Sequence, residues 1–208
     1  KTQPLDTYQA QNRGGTGKRA ASLKDEDFVS KLFVANTHDT LLCFSSYGKV
    51  YWIKVYRLPR GGRNAKGRPI VNLLPLEKDE RIQAVLPVKE FNDDQFIFMA
   101  TETGSVKKTK LSAYSRPMKS GIKAIKLRDG DRVVNAEITD GTKEIMLFSN
   151  SGKSIRFKES DARPMGRVSQ GVRGMRIDKD QKIISLVVLE EGSILVATEN
   201  GYGKQTLK

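Results

Sequence analysis

Two glycines recur along this chain at almost fixed intervals, and that recurrence limits the fold to an array of equivalent units. The first stands at Gly17, Gly67, Gly121 and Gly171, with separations of 50, 54 and 50 residues. Six residues beyond each comes Leu23, Leu73, Leu127 or Ile177. The second stands at Gly48, Gly104, Gly152 and Gly201, separated by 56, 48 and 49 residues. A period near 50 residues marks a repeat protein, in which a unit unable to bury its own apolar face stacks on the next.

Between these landmarks the residues read as short strands. A polar, mostly acidic turn (24–27, 77–80, 128–131, 178–181) precedes an apolar run (29–34, 82–88, 133–138, 183–189). Ahead of the second glycine stand 41–45, 96–100, 145–149 and 194–198, bulky or β-branched and too short for helices. After it come 49–55, 105–111, 153–158 and 202–208, so the glycine closes a hairpin. Each unit reads as four short strands, the size of a propeller blade. The expectation is one all-β domain over 1–208, with repeats at 11–66, 67–120, 121–170 and 171–208. Only 24–33 offers even a weak helical pattern. No Trp-Asp dipeptide occurs and Trp52 is the one tryptophan, so this is no ordinary WD array.

The net charge of +13 calls for an anionic partner, and its distribution says which kind. Stretches 49–68, 105–128 and 153–176 hold 22 of the 37 Lys and Arg but 2 of the 24 acids, which leaves the remainder net acidic. All three lie between the second glycine of one unit and the first glycine of the next. Stacking would therefore align them as one cationic band, suited to a polyanion whose charge repeats along its length, such as duplex nucleic acid. The candidate contacts are Arg57, Arg60, Arg63, Lys66 and Arg68; Lys107, Lys108, Lys110, Arg116 and Lys119; and Arg156, Lys158, Arg163, Arg167 and Arg173. Aromatic residues in these stretches are few and sit where strand packing would use them, which disfavours recognition of unpaired RNA.

The opening stretch Gln11-Asn12-Arg13-Gly14-Gly15-Thr16-Gly17-Lys18, with Arg19 beyond it, places cations among glycines and carries no acid. Such a loop lets a phosphate approach backbone N–H groups closely. It is not a nucleotide P-loop, which would need Gly at Asn12 and Ser or Thr at Arg19. Gly152-Lys153-Ser154 fails as well, with Leu147 at the first glycine position.

Catalytic chemistry has little to build on. His38 lies in a turn, there is no CxxC, no metal-spaced cluster is present, and Cys43 sits in an apolar run as a buried thiol. No apolar run approaches the roughly 18 residues that span a bilayer. The chain begins at Lys1 with no signal region, and the expectation is a cut inside a longer cytosolic protein.

The opening box, the 50-residue unit and the segments 34–39, 67–76 and 200–204 together resemble the C-terminal domain of the DNA gyrase A protein, over nearly the whole chain. The resemblance implies a β-pinwheel, whose blades of four short antiparallel strands exchange strands, with duplex DNA wrapped on a basic rim to set the direction of supercoiling. The family's box reads Gln, Arg or Lys, Arg, Gly, Gly, Arg or Lys, Gly. Gln11, Arg13, Gly14, Gly15 and Gly17 match it, whereas Asn12 and Thr16 depart and remove two cations. The family's catalytic tyrosine, ATP site and magnesium site lie in other domains or in the partner protein, gyrase B. No catalytic residue or cofactor is therefore expected here. The implied partners are duplex DNA, the remainder of gyrase A, and gyrase B in a heterotetramer, in the cytoplasm on the nucleoid and away from membranes. About four repeats are visible where the family usually has six, so an incomplete ring with exposed edges is expected. The alternatives are the paralogous A-type protein of topoisomerase IV and a propeller-like scaffold docking an acidic protein.

Overall fold

The computed structural model describes residues 1–7, 13–14, 29 and 31–207. Its strands are β1 Thr40–Ser45, β2 Lys49–Lys54, β3 Ile82–Val88, β4 Phe96–Thr101, β5 Ser105–Lys110, β6 Ile122–Lys123, β7 Val133–Thr139, β8 Glu144–Ser149, β9 Ser154–Lys158, β10 Val172–Arg173, β11 Ile183–Leu189, β12 Ser193–Ala197 and β13 Gly203–Leu207. The only helical elements among the described residues are short 3₁₀ turns.

Four antiparallel sheets result, in the orders β3-β1-β2-β6, β10-β5-β4-β7, β11-β8-β9 and β12-β13. The sheets do not follow the units drawn from first glycine to first glycine. Each hairpin recruits the apolar run that follows it, so β3 pairs with β1, β7 with β4 and β11 with β8. Its other edge takes a two-residue strand from beyond the next hairpin, as β6 does on β2 and β10 on β5. Blades are thus completed by exchange, and the glycine-based units cut across them. With four, four, three and two strands the sheets are not equivalent, and no symmetric four-blade ring forms among the described residues.

Strand alternation feeds two cores at once, because neighbouring residues of a strand point to opposite faces. From β4, Ile97 and Met99 join Leu42, Phe44, Leu86, Val133 and Ala136 between the first and second sheets. Phe98 and Ala100 turn the other way, onto Val106, Ile145, Leu147, Ile183 and Leu186 of the second and third. β1 behaves alike, with Leu41 and Cys43 entering a third cluster with Tyr51, Ile53 and Leu74. Burial pushes the Cys43 thiol up to about 12, which keeps it uncharged and unreactive.

The run 29–34 is a correction. Residues 31–34 are not in a strand, and Val29, Leu32 and Val34 are exposed. Its equivalents pair with the hairpin that precedes them in the chain, and no hairpin precedes residue 29 among the described residues. Residues 24–28 of the weak helical candidate lie outside the described set, and residues 31–33 form no helix.

Candidate nucleic-acid interface

Each cationic stretch starts on the second strand of a hairpin, passes through a 3₁₀ turn and continues as a loop. The turns are Val55–Arg57, Leu111–Tyr114 and Glu159–Asp161. Loop 115–121 then runs back to β6 on the first sheet, and loop 162–171 runs back to β10 on the second. The three loops therefore leave successive sheets at one equivalent position.

Backbone bonds fix their course. Met165 N–H donates to the Lys108 carbonyl at 2.9 Å, and Pro164 lies in a parallel bridge to Lys108. Lys126 N–H donates to the Ser169 carbonyl at 3.1 Å. In the first loop Thr2 N–H donates to Pro59 at 3.0 Å and Gly61 N–H to Thr2 at 3.1 Å, while the Lys1 ammonium reaches the Gly62 carbonyl at 2.7 Å.

Arg57, Arg60, Arg63, Lys66, Arg68, Lys110, Arg116, Lys119, Arg156, Lys158, Arg163 and Arg173 are exposed, and Arg167 is half-buried. Not all are equally available to an anion. Arg156 forms a two-pronged pair with Glu144, its Nε lying 3.1 Å from one carboxylate oxygen, and Lys110 stands 3.7 Å from Asp93. Of the opening box, Arg13 and Gly14 are described and exposed, Gly14 with φ of +84°. Gln11, Asn12, Gly15, Thr16, Gly17, Lys18 and Arg19 lie outside the described residues.

Two candidates are corrected outright, because Lys107 and Lys108 are buried, at 0% and 4% exposure, and touch no solvent-facing anion site. Lys107 donates to the carbonyls of Ala124 and Arg167. Lys108 donates to the Glu159 carbonyl at 2.8 Å and lies over the Phe96 ring at 5.2 Å. The reason is positional. Counted from the hairpin glycine, Lys107 and Lys108 stand where the first unit has Tyr51 and Trp52. Trp52 Nε1 donates to the Tyr114 carbonyl at 2.9 Å, so in both units the same position braces the 3₁₀ turn of the next unit. A cation replaces an aromatic ring in a structural brace. Aligning the units beyond their glycines exposes this.

Two arginines outside the candidate set belong near it. Arg128 and Arg176 line a cleft with Arg173, Thr103 and Met175, and none of the three arginines forms an ion pair among the described residues. Both lie in the acid-poor stretches, which is the signal that could have found them.

The chain matches a family described as the DNA gyrase C-terminal domain, beta-propeller, over residues 1–36, 39–89, 95–140, 143–190 and 192–207. It is 56% identical over 207 residues to the DNA gyrase A protein of Salmonella typhimurium, covering 99% of this chain and 24% of that one. Identity to the gyrase A protein of Aeromonas salmonicida is 49% over 255 residues, covering 99% and 28%. The chain thus spans about a quarter of the length of the curated relatives it matches. Among solved structures, a DNA gyrase A C-terminal domain superposes with TM-score 0.72 at 28% identity, over 97% of this chain and 65% of that one. The C-terminal domain of a DNA topoisomerase IV gives 0.76 at 32% identity, over 82% and 54%.

Proposed function

The chain belongs to the DNA gyrase C-terminal domain family, and from that premise we propose that it binds and bends duplex DNA for a gyrase-type topoisomerase, presenting a segment to a strand-passage core elsewhere in the enzyme. One observation carries the proposal. Exposed, acid-poor loops leave successive sheets at the same position, an arrangement that would line their cations up as a band suited to a phosphate backbone. Gyrase B and the remainder of gyrase A would supply catalysis, ATP and magnesium, in a heterotetramer on the cytoplasmic nucleoid. We place no cofactor in this domain. The high identity to proteins named for gyrase favours this assignment over topoisomerase IV.

The test is fluorescence anisotropy with a short duplex and, in parallel, an acidic peptide. Charge reversal at Arg63, Arg116 or Arg163 is expected to weaken duplex binding about three- to tenfold each, uniformly across sequences, since phosphate contacts position without reading bases. Tighter binding of the peptide than of the duplex would reject the proposal.

Bending 20 to 30 base pairs through a large angle costs about 1 to 6 kcal/mol, so wrapping needs a contact made only once the duplex has curved. We assign that contact to the box. Replacing 11–18 with alanines is expected to leave short-duplex binding nearly intact while abolishing the compaction of a duplex of about 150 base pairs, roughly one persistence length. End-to-end FRET measures it, and undiminished bending would move the anchor to the loops alone. Asn12→Arg with Thr16→Lys should strengthen wrapping.

A further inference from the structure

A fully buried lysine with no acid beside it asks for an explanation beyond bracing. Lys107 lies on β5 of the second sheet, and its Nζ donates to Ala124 O at 2.5 Å and to Arg167 O. Ala124 follows β6 on the segment crossing to the first sheet, its own N–H bonded to Gly48 O at 2.7 Å. Arg167 lies in the cationic loop that arrives from the third sheet. One ammonium therefore joins chain segments belonging to three sheets.

The charged and titratable groups around it are cationic or neutral. The loop contributes Arg167 and Arg163, the turn Leu111–Tyr114 contributes Tyr114, the crossing segment Lys123 and Lys126, β10 Arg173, and its own strand Lys108 and Lys110, while β4 sets Met99 opposite. Glu159 is buried as well, but its carboxylate accepts from the Lys143 N–H at 3.0 Å and only its backbone carbonyl meets Lys108, whose side chain leaves the strand from the other face. Burial first, and then the Arg167 guanidinium, push the Lys107 ammonium down to about 7.

We propose that Lys107 is a positioning residue for the phosphate-binding loop, and that a phosphate seated on Arg167 draws a proton from solvent onto the Lys107 amine, so that binding DNA tightens the bolt that holds the loop. The inference rests on the DNA-binding function proposed above. Its physical basis is linkage. The free protein carries Lys107 divided between amine and ammonium near neutrality, and repulsion from Arg167 favours the amine. An anion on Arg167 cancels that repulsion and favours the ammonium. The gain in affinity is therefore fully present below about 7, the value in the free protein, and is lost as pH climbs from there through the raised value of the complex.

Calorimetry of a 20-base-pair duplex at pH 7, in two buffers of different ionisation enthalpy, counts the protons. A His38→Gln background removes the one histidine, which lies in the turn before β1. The expected uptake is about 0.3 to 0.5 proton per domain, with affinity about three- to tenfold lower at pH 8.5 than at pH 6.5. Lys107→Met should abolish the uptake, and Arg167→Gln, which keeps the backbone carbonyl that Lys107 bonds but removes both the repelling charge and the seat of the phosphate, should reduce it. Binding without uptake, or uptake that persists in Lys107→Met, overturns the inference and leaves DNA binding standing. If Lys107→Met does not fold, unchanged uptake in Arg167→Gln overturns it equally. No binding of duplex at either pH refutes the DNA-binding function itself, and this inference with it.

Discussion

Affinity for a short duplex is expected to fall about 10⁴-fold between 50 and 200 mM salt. Each phosphate neutralised contributes roughly −0.9 to the slope of log K against log salt, so about eight contacts give a slope near −7. Eight is a modest demand on this surface. The exposed cations on loops 58–69, 115–121 and 162–171, joined by Arg57 and Arg173, are enough, even though Arg156 and Lys110 are engaged by Glu144 and Asp93. The buried Lys107 and Lys108 contribute nothing to the slope. A salt titration returning a slope near −2 would sink the band, because only two or three phosphates would then be met.

The second large effect concerns folding. Gly104 and Gly152 close equivalent hairpins with φ of +86° and +79°, yet their surroundings differ. A Cβ on Gly104 would collide with the Met175 carbonyl, whereas one on Gly152 meets nothing within 4 Å. Gly152→Ala should therefore cost only the left-handed backbone term, about 1 to 2 kcal/mol. Gly104→Ala adds overpacking against backbone, for a total of about 2 to 5 kcal/mol. Its carbonyl also accepts bonds from Gly174 and Met175 at 2.8 and 3.1 Å, so the damage reaches the link between units. Urea unfolding of the two variants measures the difference, and equal losses would show that the crossing chain yields freely.

The all-β fold was legible because it rests on local signals. The runs 82–88 and 183–189 coincide with β3 and β11, and the other paired runs agree with their strands within a residue or two. Strand exchange was not legible from spacing, since β6 and β10 are two residues long and show no alternation. The loop cations could be read as exposed because acids avoid them. Lys107 and Lys108 could not, because a lysine inside a strand is expected to reach water, and that route is closed by distant segments, loop 162–171 and Ala124 over Lys107 and the turn Glu159–Asp161 over Lys108. Arg128 and Arg176 became visible once the fold set them beside Arg173.

Strand exchange also sets a schedule for synthesis. Lys49 of β2 pairs with Lys123, and Ser105 of β5 pairs with Arg173, so an edge waits for partners roughly 70 residues downstream. At about 5 to 20 residues per second, the ribosome leaves each such edge open for some 4 to 14 seconds. During that interval the nascent chain displays an unpaired strand beside a finished hairpin, a template for mispairing with a neighbouring polysome's product. Lys49 and Lys54, at either end of β2, place charge on the waiting strand and discourage such pairing until its own partner emerges.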